Sequence, residues 1–118
     1  MFESLASKVN KNAHIQRLGR GCSTKFVLQV DDEQFHLSVE SGQITSVAKG
    51  PFQMRGSSFV IAAAKDTWIE FMRPIPRPGF HDIFAMSAAG NARIEGDINI
   101  LLGHLAYFKA VLDLLRKV

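Results

Sequence analysis

The hydrophobic positions of this chain change their period several times, and each change predicts an element. Phe2, Leu5 and Val9 recur at helical spacing and predict a short first helix. Gly19 and Gly21 then interrupt the pattern. From Phe26 the period falls to two. Phe26, Leu28 and Val30 alternate with Val27, Gln29 and Asp31, which predicts a strand. Phe35, Leu37 and Val39 alternate with His36, Ser38 and Glu40 in a second strand, and residues 43–48 read as a third. Asp31-Asp32 and Ser41-Gly42 are turn signals between them. Two consecutive hairpins make an antiparallel meander with one apolar face and one wet face.

Residues 50–57 form a connection containing Pro51 and Gly56. Residues 58–64, SFVIAAA, are apolar on both faces. That predicts a strand covered on both sides, or one whose second face lines a cavity; the alanines would leave space there or admit a closely packed helix. Thr67 opens a helix, and Thr67 with Glu70 fits a capping box. Trp68, Phe71 and Met72 share one face of it. Pro74, Pro76 and Pro78 end it. Residues 79–89 give another short helix with Phe80, Ile83, Phe84 and Met86 turned inward and Gly90 as its C-terminal cap. Ala92 and Ile94 alternate with Arg93 and Glu95 in a last strand, and Asp97 caps the final helix.

That final helix, residues 98–115, carries more apolar surface than one contact can cover. At 100° per residue, Ile98, Ile100, Leu101, Leu102, Leu105, Phe108, Val111, Leu112 and Leu115 span an arc of about 200°, where a helix resting on a sheet needs about 100°. A second layer of protein, a partner chain or a lipophilic ligand would bury the surplus.

Composition narrows the class. A chain of 118 residues with 47% apolar and 21% charged residues fits one soluble domain, residues 1–118. Nine Phe stand against one Tyr and one Trp, so the aromatic bulk has no polar handle. It suits a Phe-rich core and a Phe-lined cavity equally. Cys22 is the single cysteine, which excludes an internal disulfide and points to a reducing compartment. The N-terminus lacks the apolar run of a secretory signal, and no stretch reaches about 18 apolar residues. A cytoplasmic location with no integral membrane segment is the expectation. The net charge is +3, with Lys8, Lys11, Arg17, Arg20 and Lys25 near the N-terminus. These are too sparse, and too poor in interleaved aromatics, for a nucleic-acid surface.

The residues that carry chemistry do not assemble into a motif. His14, His36, His81 and His104 lie in different elements without metal-ligand spacing. There is no nucleophile elbow, phosphate loop or paired-cysteine motif. His81 and Asp82 are adjacent, which on a helix turns them about 100° apart. Glu95 and Asp97 share a strand face, but Asp97 has the simpler task of capping. No metal, cofactor or catalytic residue is expected.

Three segments together carry a resemblance: GQITSV at 42–47, SSFVIAAAKDTWIEFM at 57–72, and IEGD at 94–97 followed by an apolar helix. Over roughly residues 20–115 the chain resembles the sterol carrier protein type-2 domain. The segment RPIPRPGFHDIFAM is similar to a bacterial branch in which a proline-rich loop joins two short helices. The resemblance implies an α+β fold with a five-stranded, mainly antiparallel sheet covered by helices. It also implies a long C-terminal helix and a hydrophobic tunnel between sheet and helices. The ligands it implies are sterols, fatty acids or fatty acyl-CoA, held without catalysis.

On this reading the tunnel would be lined by Phe59, Ile61, Trp68, Phe71, Met72, Phe80, Phe84, Leu101, Leu105 and Phe108, with Arg73 and Arg77 at its mouth for a carboxylate or phosphate. The partner is then a lipophilic small molecule. Two rivals stand beside it. A small-cavity enzyme acting on a steroid- or polyketide-like substrate would have to use Asp97 or His104. A non-catalytic interaction subunit of a lipid-metabolising enzyme, or a homodimer, would instead use the surplus of helix 98–115 as a seam, with Gly103, Ala106 and Ala110 permitting close approach.

Overall fold

The computed structural model describes residues 2–50 and 57–116, and in it the meander forms as the alternation predicts. β1 (Thr24–Val30) and β2 (Glu33–Glu40) pair antiparallel. β3 (Gln43–Lys49) adds antiparallel to β2. The turn between β2 and β3 holds Ser41 at φ 49° and Gly42 at φ 82°. Two left-handed residues in succession make the type I′ turn whose twist suits a hairpin. β4 (Phe59–Ala63) lies parallel to β1, and β5 (Ala92–Gly96) returns antiparallel to β4. The result is a five-stranded sheet in the order β3-β2-β1-β4-β5, antiparallel in all pairings except β1 with β4.

The sheet has one large apolar face and one small one. Phe26, Leu28, Phe35, Leu37, Phe59 and Ile61 enter the main core under the helices. Val27, Val60 and Ala62 make a separate buried cluster on the other side. The double-sided apolarity of residues 58–64 is thereby explained without a cavity. Central position between β1 and β5 buries every residue of β4. Residues 51–56, most of the expected connection, lie outside the described residues.

Gly96 sets how closely β5 meets β4. Its φ is +100°, and a Cβ there would stand 2.5 Å from the Ser58 carbonyl oxygen. Next along the chain, the Asp97 N–H donates to that same oxygen at 2.7 Å. The Gly-Asp pair of IEGD therefore lets the backbone pass where a side chain would not fit.

The helices differ from expectation in four places. The N-terminal segment contains two short helices, α1 (Leu5–Asn10) and α2 (Ala13–Leu18). α2 buries Ile15 alone and so leaves no periodic signal; Asn12 caps it by accepting from the Ile15 N–H at 3.0 Å. Asn10 guards the open edge of the sheet, accepting from the Ile44 N–H at 3.0 Å and donating to the Ile44 carbonyl at 2.9 Å. An edge strand left with bare amides would pair with other chains.

α3 (Lys65–Phe71) starts before Thr67, on Ala64, with no side-chain cap. The expected capping box is absent because Glu70 is drawn to the following loop. α4 (Ile83–Ala88) starts later than residue 79, on Asp82, whose carboxylate accepts from the Phe84 N–H at 2.9 Å. It ends as expected on Gly90 at φ 82°, where Asn91 N–H donates to Met86 and Gly90 N–H to Ser87. These two bonds form the paired closure of a Schellman cap.

The single long C-terminal helix is divided. α5 (Ile98–Gly103) and α6 (Leu105–Asp113) meet at His104, whose φ of −125° and ψ of 38° are not helical, and a 3-10 turn, Leu114–Arg116, follows. Asp97 caps α5 as expected, accepting from the Asn99 N–H at 3.1 Å. The break redirects the apolar arc. Leu101, Phe108, Val111, Leu112 and Leu115 are buried, while Ile98 and Leu102 stay 42% and 49% exposed. An arc drawn for one straight helix overstates the surface that one partner would cover.

Candidate ligand site

Of the ten residues expected to line a tunnel, Phe59, Ile61, Trp68, Phe71, Leu101 and Phe108 are fully buried in the core. Met72, Phe80 and Phe84 pack against it half-buried, and Leu105 is half-buried on α6. They do not surround a common space. Phe59 stacks on Phe26 with centroids 5.2 Å apart, and Phe108 meets both rings edge-on at 5.2 and 5.3 Å. Tyr107 joins them at 5.2 Å from Phe108. A second chain of rings runs from Phe35 through Phe2 and Trp68 to Phe71, with neighbouring centroids 5.1 to 5.7 Å apart. These are the edge-to-face distances of a packed aromatic core. Between β4 and α6, where a tunnel was expected, the rings of Phe26, Phe59 and Phe108 pack against one another.

One concavity that reaches the core lies at its edge, between the start of α4 and the end of α6. Phe71, Ile83 and Leu112 form its floor, and His81, Asp82, Lys109, Asp113 and Arg116 form its rim, around a volume of about 190 Å³. Ligand pockets for drug-sized molecules start at about 300 Å³. The cleft as it stands therefore admits a fragment of an acyl chain and no sterol.

Its rim is built around Arg116. Nε donates to the Phe71 carbonyl at 2.7 Å, Nη2 donates to the His81 carbonyl at 2.5 Å, and Nη1 pairs with Asp113 at 2.8 Å. The guanidinium carbon sits 4.2 Å from the Phe71 ring centroid. Across the opening, Lys109 and Asp82 stand 3.4 Å apart. Arg116 thus latches the end of the chain onto the α3–α4 connection. Its partners are backbone carbonyls 35 and 45 positions away, so no local pattern in the sequence announces it.

Arg73 and Arg77 do not line this cleft. Both pair with Glu70, at 3.2 and 3.1 Å, and the Arg77 N–H donates to Glu70 Oε2 at 2.9 Å. Those bonds, the Arg77 amide first and the Arg73 guanidinium after it, hold the Glu70 carboxyl below the usual glutamate range against the opposing effect of burial. The spacing of Glu70 and Arg73 at i and i+3 was the sequence signal for this clamp. Cys22 is buried, which pushes its thiol up and away from reactivity. Among the described residues no cluster of three His, Cys, Asp or Glu could hold a metal ion, and no helix is long and apolar enough to cross a membrane.

No family model and no curated protein matches the chain by sequence. Solved structures do match. A crystal structure of sterol carrier protein 2 aligns with 98% of this chain and 92% of its own at a TM-score of 0.77 and 16% identity. A conserved hypothetical protein of Thermus thermophilus, described as possibly a sterol carrier protein, aligns with 98% of this chain and 83% of its own at 0.74, also with 16% identity. The ubiquinone synthesis protein UbiJ-SCP2 aligns with 97% of this chain and 87% of its own at 0.63 and 15% identity. At such identity the likeness is one of architecture, and it spans nearly the whole of both partners: this chain has the sterol carrier protein 2 fold.

Proposed function

We propose that residues 1–118 act as one ligand-binding unit that takes up an apolar or amphiphilic small molecule between the sheet and the helices and holds it without turnover. The observation that carries this reading is the cleft whose apolar floor of Phe71, Ile83 and Leu112 belongs to the main core, beneath a charged rim, on a domain of sterol carrier architecture. At about 190 Å³ the cleft is too small for such a molecule. Binding therefore requires the α3–α4 connection to separate from α6, with the aromatic side chains beneath turning aside to admit the ligand. Sterols, fatty acids and fatty acyl-CoA are the classes to test. Burial at about 25 cal/mol per Å² of apolar surface supplies the driving force, less the cost of opening the packed core.

Retention without chemistry agrees with the state of the two residues a catalytic reading would need. The Asp97 carboxylate is spent on the α5 cap, and His104 occupies the break between α5 and α6. The buried, unpaired cysteine suits a cytoplasmic location. Native mass spectrometry of the purified protein, and titration with a fluorescent fatty acid and a fluorescent sterol, test the proposal. Saturable binding that Leu112→Trp abolishes supports it. Absence of saturable binding by every class, or binding unchanged by Leu112→Trp in a folded variant, overturns it.

A further inference from the structure

Ile75 is the most exposed large hydrophobic residue among those described, at 82%. It does not lie on a frayed end. It sits between Pro74 and Pro76 in the loop after α3, and Pro76 is buried while Ile75 points out. The loop is tied back at both ends: Arg73 and Arg77 both reach Glu70, the Arg77 amide donates to the same carboxylate, and the Arg77 guanidinium covers the Phe80 ring at 5.0 Å. An apolar side chain is thus held out in water by a stiff, anchored loop.

The surroundings select an occupant. Arg73 and Arg77 flank Ile75 and remain 57% and 65% exposed. Of their donors, Arg73 commits only Nη1 and Arg77 only Nε and the backbone amide, so most of each five-donor fork is left for an anion. Ile69, 48% exposed, lies one helical turn after Lys65 on the same face of α3. Residues 65–80 carry Lys65, Arg73 and Arg77 against Asp66 and Glu70, and Glu70 is buried beneath the arginines. A protein partner would call for a groove or a broad apolar face. What stands here is one exposed aliphatic tip, with the two guanidiniums gathered beneath it on the Glu70 carboxylate and each still more than half exposed. That arrangement fits the boundary of a phospholipid bilayer, where an aliphatic tip enters the acyl region and arginines meet phosphate oxygens.

We infer that the 73–77 loop docks the domain on an anionic phospholipid surface, with Ile75 inserted and Arg73 and Arg77 bound to headgroup phosphates. The inference stands on the loop alone and does not rest on ligand uptake. The test is co-sedimentation of the whole, ligand-free protein with vesicles of phosphatidylcholine containing one-third phosphatidylserine, and with vesicles of phosphatidylcholine alone. The expected result is binding to the anionic vesicles that falls at least fivefold on neutral ones and in high salt. Ile75→Asp should lower it at least tenfold, while the urea midpoint stays unchanged because the side chain touches little. Ile75→Leu should retain it. Binding equal for Ile75→Asp and the parent, or no vesicle binding by the parent, overturns the proposal. So does a dimer in sedimentation velocity that Ile75→Asp dissociates, since the tip would then be a protein interface.

Discussion

Tyr107 donates its buried hydroxyl to the Gly42 carbonyl at 3.0 Å, tying α6 to the β2–β3 turn. The ring of Tyr107 also lies where a Cβ on Gly19 would stand, 2.6 Å away, and Gly42 Cα is equally close to that point. Two glycines and one tyrosine thus bring the end of α2, a hairpin and the last long helix into one contact. Tyr107→Phe keeps the ring and orphans a buried carbonyl, so it should cost about 1–3 kcal/mol in urea unfolding. Gly19→Ala overpacks the same point and should cost about as much or more.

The same phenol gives a pH dependence. Burial, with a smaller contribution from Cys22, pushes the Tyr107 hydroxyl far above the ordinary tyrosine value. The folded state favours the neutral form, so this contribution to stability is complete below about pH 10, the unfolded value, and is lost as pH rises towards the folded one. Urea midpoints measured from about pH 8 to about pH 11, a window that brackets the unfolded value, should fall more steeply for the parent than for Tyr107→Phe. The buried Cys22 thiol, shifted the same way, should leave a weaker alkaline slope in the variant. Identical slopes would remove Tyr107 from this account.

Glu70 works in the opposite direction. Its carboxyl is held down by the Arg77 amide and the Arg73 guanidinium, so the stability it contributes is present above the ordinary glutamate value and disappears as pH falls through the folded value. Glu70→Gln should flatten the acid limb of the stability profile. It should also raise amide exchange at Arg77, whose N–H gives its bond to this carboxylate. Unchanged exchange there would show that the prolines alone hold the loop.

Most of the sheet was legible because period-two alternation is local, and in β2 it matches burial directly, with Phe35, Leu37 and Val39 inside. The mixed topology of β4 was not, since a parallel pairing leaves no turn signal to read. Capping succeeded where the competing partner was absent, at Asp97 and Gly90. It failed at Thr67, where Glu70 meets two arginines instead. The break at His104 has no proline to mark it. The candidate site was harder still: the sequence shows that Phe59 and Phe108 are apolar, yet whether their rings line a space or fill it depends on Phe26, which reaches both from another strand. Arg116 was invisible for the same reason of distance.

Phe108→Ala measures that difference directly. Phe108 touches Phe26, Phe59 and Tyr107 and is 2% exposed. Its truncation should cost about 3–5 kcal/mol, the range for aromatic residues deleted from a packed core. A loss below about 1 kcal/mol would mean that the ring borders space in solution.

Gly96→Ala and Gly103→Ala form a contrasting pair. At Gly96 the backbone φ is +100° and the new Cβ would meet the Ser58 oxygen at 2.5 Å, so β4 and β5 must separate. At Gly103 nothing lies within 4 Å, and the residue closes α5 with ordinary helical geometry. Gly96→Ala should lower the thermal midpoint sharply or prevent folding. Gly103→Ala should raise stability by about 0.4–1 kcal/mol through the unfolded chain's lost freedom. A destabilising Gly103→Ala would reveal a close contact at α5 that the isolated chain does not make.

Arg116→Lys separates latch from charge. Arginine at this position bonds two backbone carbonyls, stacks on Phe71 and pairs with Asp113 at once. A lysine ammonium keeps the charge and can satisfy only part of that set, because its donors radiate from one point. The loss of charge-assisted bonds should cost about 1.5–3 kcal/mol. The variant should also uncouple the end of α6 from the α3–α4 connection, visible as faster hydrogen exchange at residues 79–83. If the cleft beneath is the way in for an apolar ligand, the closed form loses more than the liganded form, and a fluorescent fatty acid should bind Arg116→Lys faster than the parent. Faster exchange with an unchanged association rate would leave Arg116 as a structural clasp and place the ligand's route elsewhere.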